Sequence, residues 1–153
     1  MKKVSIAYGD SRLEINVPEY ADVILPSYPA PFDNPYNEIR KSILNPVNSA
    51  SLKDLVNEND RIAVSICDVT RPMPSVVVLS AILDELDHVD KNNIRIIIAT
   101  GTHRATTITE INQMLGSKIT GQYSIENHNC FDKDKLSYCG NTLTGTRQWL
   151  GRT

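Results

Sequence analysis

Two short apolar segments, residues 62–66 and 94–99, lie on either side of residues 74–86, where apolar side chains recur at helical spacing. A strand, a helix and a second strand within about 40 residues form a βαβ unit. Strands that are apolar almost throughout are typical of a parallel sheet covered on both faces. The sequence therefore predicts an α/β fold in which these two strands run in the same direction within one sheet.

The flanking segments extend this prediction to a Rossmann-like, mostly parallel sheet with flanking helices, preceded by an N-terminal β-hairpin. Alternating apolar residues at positions 4–8 and 13–17 predict the hairpin. Residues 22–27 are predicted to form a third short extended piece, and residues 123–127 and 136–139 two further strands. No closing strand or helix is predicted after the last of these.

Helix boundaries are predicted from capping signals. One helix begins after Asn34 and ends by Asn45, because the proline that follows disfavours helical geometry before it. Ser51 predicts a short second helix. Thr107 and the glutamate three positions later form a capping box, which opens a helix that Gly116 is predicted to close.

Length and charge limit the class of protein. The 153 residues carry 16 Lys and Arg against 18 Asp and Glu, for a net charge of -2. This length fits one domain, which we predict for residues 1–153. The even balance of charge argues against a nucleic-acid partner, because such a partner selects a clustered basic face.

Short segments of the chain argue against a membrane-spanning protein, a secreted protein and a cysteine-based disulfide or zinc site. The longest stretch without a charge, residues 72–83, is shorter than the roughly 20 apolar residues of a membrane-spanning helix. The N-terminus has no apolar core of a signal peptide. Cysteines 67, 130 and 139 lack C-x-x-C spacing and indicate neither a disulfide framework nor a thiolate zinc site. We therefore predict a cytoplasmic protein without a membrane partner.

Polar residues follow three of the predicted strands, at residues 68–71, 99–104 and 126–130. In an open parallel sheet, ligands bind beyond the carboxyl ends of the strands, which share one edge. The sequence therefore predicts one crevice at this edge, bordered by side chains from separate loops. Its predicted members are Asp68, Arg71, His103 and Arg104.

These residue types suit a polar, anionic ligand. Arg71 can hold a carboxylate or phosphate in a bidentate fork. His103 is of the residue type suited to proton transfer near neutral pH, and Asp68 could orient a cationic ring or one of the arginines. The amides at the start of the helix near Thr107 favour an anion.

Structural interpretations of the same residues stay open. Asp68 and Arg71 could form a local ion pair, and His103 could be bonded to the backbone. His88, among acidic residues at a helix end, is best explained as a solvated cation, and His128 is ambiguous. The chain could also be a nucleotide- or phosphosugar-binding module in which Thr100 to Arg104 cradles a phosphate, although no phosphate-loop motif is present. A third alternative is a non-enzymatic docking or regulatory domain.

At these positions the sequence resembles the N-terminal domain of the nickel-dependent lactate racemase family. The resemblance covers most of the chain, from the opening hairpin to Gly145. One departure is Asn129, where the family usually has aspartate. The residues that carry the resemblance are Asp68-Val69-Thr70-Arg71-Pro72, Ala99-Thr100-Gly101-Thr102-His103-Arg104 and Asn127-His128.

The resemblance implies an isomerase that inverts the hydroxyl-bearing carbon of a small 2-hydroxy acid. Its cofactor would be a nickel pincer nucleotide derived from nicotinic acid. In such an enzyme a histidine removes the hydroxyl proton while hydride moves to the cofactor, which leaves a planar keto acid. Hydride can then return to either face.

The resemblance also implies roles for individual residues. His103 would be one of two acid/base histidines, and Arg71 would fix the substrate carboxylate. Asp68 and Thr70 would contact the cofactor. Possible additional members of the site are Thr102, Arg104 and His128.

The family's remaining machinery lies beyond residue 153. It comprises a Gly-Gly-x-Lys-type segment whose lysine carries the cofactor, a nickel-ligating histidine, the second acid/base histidine and a C-terminal domain. We therefore expect this chain to be the truncated N-terminal portion of a longer enzyme, with the C-terminal remainder as its partner. By itself it is expected to contribute no metal ligand, to bind no cofactor firmly and to be inactive.

Overall fold

The computed structural model describes residues 1–151, which divide into two compact units, Met1–Pro31 and the residues from Phe32 onward. The first unit contains strands β1 (Lys2–Tyr8) and β2 (Ser11–Val17), which pair antiparallel. Gly9 begins the two-residue turn at φ 57, a conformation that favours glycine. The predicted hairpin is confirmed.

The proline-rich segment that follows, residues 21–31, has no regular secondary structure. The extended piece predicted at residues 22–27 therefore forms no strand, and proline explains why, because it has no amide hydrogen to donate to a ladder. The first unit is shorter than the roughly 40 residues below which a segment rarely folds alone. One domain thus stays our prediction for the chain.

The second unit holds the parallel sheet, in which β3 (Ile62–Cys67), β4 (Ile94–Ala99) and β5 (Ser124–Asn127) lie side by side in that order, with helices between them in the sequence. This arrangement, together with the hairpin, confirms the predicted α/β fold class. In the part of the chain that the structure describes, no helix is long and apolar enough to cross a bilayer. The elements are α1 (Pro35–Leu44), α2 (Leu52–Leu55), β3 (Ile62–Cys67), α3 (Ser75–Glu85), β4 (Ile94–Ala99), α4 (Ile108–Thr120), β5 (Ser124–Asn127), β6 (Leu136–Asn141) and β7 (Arg147–Gly151).

Capping side chains fix the helix starts as the sequence predicts. Asn34 accepts a hydrogen bond from a backbone amide of α1, and Ser51 does the same for α2. Thr107 and Glu110 form both bonds of the capping box of α4. The predicted end of α4 is wrong: Gly116 interrupts it at φ 73, but a further helical turn continues to Thr120.

The core lies between the sheet and helices α3 and α4. Alternate residues of β4 point into it and are almost fully buried, as expected for one face of a strand. Burying each such side chain contributes about 1.5 to 3 kcal/mol. The buried cluster is Ile66, Leu79, Leu83, Leu86, Val89, Ile94, Ile96, Ile98, Leu115 and Ile119.

The opposite face of the sheet is lined by small or half-buried residues, among them Ala63, Ser65, Ile97 and Ala99. The strand order advances in one direction, and right-handed crossovers therefore put α3 and α4 on the same side. Our expectation of a sheet covered on both faces is thus not met in residues 1–151. Apolar strands alone do not reveal the direction in which a sheet grows.

The C-terminal part forms an antiparallel pair, β6 with β7. The first strand was predicted, but the absence of a closing strand was wrong, because β7 follows it. The rings of Tyr138 and Trp149 lie 5.4 Å apart across this pair. An irregularity between Tyr138 and Gly140 interrupts the register, and such a bulge weakens the alternating pattern by which strands are recognised.

Candidate active site

The loops after β3 and β4 meet at the carboxyl edge of the parallel sheet. Asp68 directly follows β3, and His103 lies in the loop after β4. The two parallel strands end in register, with Cys67 opposite Ala99, and the two loops therefore leave the sheet side by side. Nδ1 of His103 is 2.6 Å from Oδ2 of Asp68. Two side chains separated by 35 positions in the sequence are thereby joined.

Asp68 is buried and accepts several hydrogen bonds, its residue surface being only 4% exposed. The hydroxyl of Thr70 donates to Oδ1 at 2.6 Å, and the amide of Thr70 donates to the same oxygen at 3.2 Å. The bonds from Thr70 and His103 hold the pKa of Asp68 below its ordinary value. Asp68 is therefore a carboxylate throughout the neutral range.

The charge on Asp68 determines the tautomer of His103. A carboxylate can only accept hydrogen bonds, so the proton of the ring must sit on Nδ1. In the neutral ring, Nε2 then carries the free lone pair. The side chain of His103 is 51% exposed, and Nε2 makes no hydrogen bond within residues 1–151. His103 is thus oriented as a base that can accept a proton at Nε2.

Arg71 lies in the same turn as Asp68 but does not pair with it. Its backbone amide donates to the carbonyl oxygen of Asp68 at 3.2 Å. Its guanidinium is exposed and meets no carboxylate in the described part of the chain. The carboxylate of Asp68 instead bonds Thr70 and His103, which replaces the local ion pair that we considered. Arg71 is thus a cation available to an anionic ligand.

Arg104 has a partner in the chain. Its guanidinium holds Glu110 with two hydrogen bonds of 2.9 and 2.6 Å, and the amide of Thr107 donates to the same carboxylate at 2.8 Å. The hydrogen bonds from Arg104, the largest cause, and from Thr107 lower the pKa of Glu110 to about 2. A carboxylate thus already occupies the amino end of α4, which disfavours a phosphate cradle formed by residues 100–104.

His128 and Thr102 do not join the pair of Asp68 and His103. His128 faces a groove of about 580 Å³ between the open face of the sheet and β7. The ring of His128 lies close to Gly151 of β7: a Cβ atom on residue 151 would be only 2.7 Å from Cδ2 of His128. The lining of this groove includes neither Asp68 nor His103. Thr102 is exposed.

His88 is less exposed to solvent than its acidic neighbours suggest, and its Nδ1 lies 4.0 Å from Oδ1 of Asp87. Its Nε2 lies 2.9 Å from the carbonyl oxygen of Val56, and its side chain is 25% exposed. The ring therefore joins the end of α3 to the segment after α2. Its role is structural and lies outside the carboxyl edge of the sheet.

Thr100 and the side chain of Asn127 make hydrogen bonds that were not predicted from the sequence. The hydroxyl of Thr100 donates to the carbonyl oxygen of His128 at 2.5 Å. The amide group of Asn127 makes two hydrogen bonds with the backbone of Thr106, of 2.8 and 2.9 Å. The sequence did contain a signal for the second contact, because the polar residue Asn127 ends a strand that neighbours β4 and its loop. Among residues 1–151, no group of three or more His, Cys, Asp or Glu could hold a metal ion.

Known proteins are similar to this chain in sequence and in fold. Residues 8–153 match the family model described as lactate racemase N-terminal domain. The lactate racemase of Thermoanaerobacterium thermosaccharolyticum is 29% identical over 150 residues, which are 95% of this chain and 35% of that protein. The lactate racemase of Lactiplantibacillus plantarum is 30% identical over 136 residues, covering 86% of this chain and 32% of that protein.

A solved structure agrees with these relatives. The lactate racemase apoprotein from T. thermosaccharolyticum matches with a TM-score of 0.83 and 26% identity, over 99% of this chain and 36% of that chain. The present chain spans about a third of the length of the curated relatives that it matches. The family model covers nearly the whole sequence, and this chain therefore belongs to the lactate racemase N-terminal domain family.

Proposed function

We propose that this chain supplies the proton-transfer part of the active site of a racemase that acts on a small 2-hydroxy acid. The observation that carries the proposal is the hydrogen bond of 2.6 Å between Asp68 and His103. In the same turn lies the guanidinium of Arg71, which meets no carboxylate among residues 1–151. A base and a carboxylate-binding group are the two functions that such a substrate requires. Membership of the family supports the assignment.

In the proposed reaction, Arg71 binds the carboxylate of the substrate and Nε2 of His103 takes the proton of its hydroxyl. As the O–H bond breaks, the carbonyl forms, and the hydrogen on the carbon leaves with its electron pair. The imidazolium so formed is stabilised by the carboxylate of Asp68. The hydride then returns to either face of the planar carbon, and His103 gives the proton back to the oxygen.

The nickel pincer nucleotide that the resemblance implies would supply the hydride acceptor when bound. The donor set of the carboxyl edge, an imidazole, a buried carboxylate and a guanidinium, fits the substrate side of such a group. Nickel ligands would come from the remainder of the protein, and without it we expect no activity. A contact of Asp68 and Thr70 with the cofactor stays a prediction, since in the structure these two side chains bond each other.

The full-length protein carrying its cofactor tests this proposal. Given a pure enantiomer of lactate or a larger 2-hydroxy acid, it should yield equal amounts of both, measured by chiral chromatography. In deuterium oxide the product should keep its original hydrogen on the carbon, because a transferred hydride does not exchange with solvent. Failure to interconvert any 2-hydroxy acid, or deuterium on the carbon, would contradict the proposal. Residues 1–153 alone serve as the inactive control.

Replacing Arg71 with lysine should raise KM for the substrate by about ten- to hundredfold and change kcat less. Lysine keeps the charge but loses the bidentate fork, and a charged hydrogen bond of this kind is worth about 1.5 to 3 kcal/mol. Initial rates at varied substrate concentration measure the effect. Arg61→Lys, at the opposite end of β3, is the matched control and should change neither constant. An unchanged KM in Arg71→Lys would exclude Arg71 as the carboxylate-binding group.

A further inference from the structure

The loop that carries His103, residues 100–107, is attached at both ends to the end of β5. At its start, the hydroxyl of Thr100 donates to the carbonyl oxygen of His128 at 2.5 Å. Near its end, Oδ1 of Asn127 accepts from the amide of Thr106 at 2.8 Å, and Nδ2 of Asn127 donates to the carbonyl oxygen of Thr106 at 2.9 Å. We call these contacts the two β5 attachments.

The loop side of each attachment is buried, whereas Asn127 and His128 on the β5 side are half-buried. Thr100 is 3% exposed and Thr106 is 4% exposed. The hydroxyl of Thr106 makes no hydrogen bond in the described part of the chain, so this residue is held through its backbone alone. Breaking an attachment would leave the buried hydroxyl of Thr100 or the buried backbone groups of Thr106 without these partners, and that cost favours one fixed arrangement of the loop.

Between the attachments the loop turns sharply and presents His103. The amide of His103 donates to the carbonyl oxygen of Thr100 at 3.0 Å. Gly101 adopts φ 57, which a residue with a side chain rarely does. The backbone of His103 is thereby fixed relative to β5, while its ring is bonded to Asp68 beside β3. A shift of the loop would move the ring away from the carboxylate.

We propose that Asn127 and Thr100 are positioning residues for the proton transfer by His103. They act through the backbone of the loop, which keeps Nδ1 of His103 hydrogen-bonded to Asp68. Nε2 of the same ring is thereby held in a single place. The proposal rests on the proposed function, in which Nε2 is the base. It assigns to the end of β5 a role in the reaction although neither side chain contacts the substrate.

The first test is kinetic and uses the full-length protein with its cofactor. Asn127→Ala should lower kcat by about a hundredfold, the usual cost of misplacing a reacting group by about 1 Å. KM should change little, because Arg71 lies on a different loop. Asn92→Ala is the matched control: its amide bonds Asp90 at the opposite end of β4, and both constants should stay unchanged. An unchanged kcat in Asn127→Ala would overturn the proposal.

The second test is spectroscopic and does not depend on turnover. With 15N-labelled histidine in the full-length protein, the Nδ1 proton of His103 should give a protected signal, because it is hydrogen-bonded to Asp68. Asn127→Ala should broaden or remove that signal, and retention of it would overturn the proposal. The two proposals can fail separately. If the wild-type protein does not racemise a 2-hydroxy acid, the proposed function is refuted, but loss of the signal in Asn127→Ala would still support the positioning role.

A conservative pair covers the case in which Asn127→Ala fails to fold. Thr100→Val keeps the shape of the side chain but removes the hydroxyl, whereas Thr100→Ser keeps the donor. We expect Thr100→Val to lower kcat by about tenfold or more, which corresponds to one lost hydrogen bond, and to weaken the Nδ1 signal. Thr100→Ser should retain both. Equal behaviour of the two variants would overturn the role of Thr100.

Discussion

Replacing Asp68 with asparagine is expected to lower kcat of racemisation by about 10⁴-fold while leaving the fold intact. Thr70 donates two hydrogen bonds to Oδ1, so the oxygen of the new amide would stay there and its NH2 group would face Nδ1 of His103. The ring would then have to carry its proton on Nε2, where it cannot accept another. A wrong tautomer of this kind costs about 10⁴ in hydrolase triads.

The measurement is kcat of the cofactor-loaded, full-length variant, with circular dichroism to verify the fold. Because hydrogen bonds from Thr70 and His103 lower the pKa of Asp68, the wild-type carboxylate stays ionised at neutral pH, and the loss should persist across the neutral range. Asp132→Asn is the control: Asp132 also accepts from a nearby backbone amide, before β6, and its replacement should have no effect. A decrease of less than about tenfold in Asp68→Asn would disprove the tautomer argument.

Replacing His103 with alanine is expected to lower kcat by at least 10²- to 10⁴-fold, the usual contribution of a positioned base. The hydroxyl proton then loses the imidazole as its acceptor, whereas Arg71 can still bind the carboxylate. KM should therefore change less than kcat. His128→Ala provides the comparison, because its ring faces the groove beside β7. Retention of most activity in His103→Ala would refute its role as a base.

The double variant of Asp68 and His103 separates two roles of the aspartate. If Asp68 acts only through the ring, adding Asp68→Asn to His103→Ala should reduce kcat no further, because residues that act as a unit are not additive. An additional loss in the double variant would indicate an independent role, such as the predicted contact with the cofactor. Initial rates of the two single variants and the double variant decide between these outcomes.

Local signals in the sequence predicted most of the fold. Alternation predicted the hairpin, and the capping box at Thr107 placed the start of α4 correctly. Gly116 was misjudged, because a glycine with positive φ can interrupt a helix without ending it. The uncovered face of the sheet was also missed, since it depends on the strand order, which the apolar pattern of a single strand does not contain.

The site was predictable in location more than in detail. The rule that parallel strands end at one edge predicted that Asp68 and His103 would lie near each other. It did not predict that His103 rather than Arg71 would be the partner of the aspartate, because this depends on side-chain directions in two loops. For the same reason the bidentate pairing of Arg104 with Glu110 was missed, although the capping box that contains Glu110 was recognised.

The hydrogen bonds that hold the loop of His103 all lie between Asp68 and His128. The bond to Asp68 spans 35 positions, and the two β5 attachments span 28 and 21. Short spans close quickly, and N-terminal segments fold first while a chain is being synthesised. We therefore expect the hydrogen bond between Asp68 and His103 to form early in folding, once the segment from Asp68 to His128 has been synthesised.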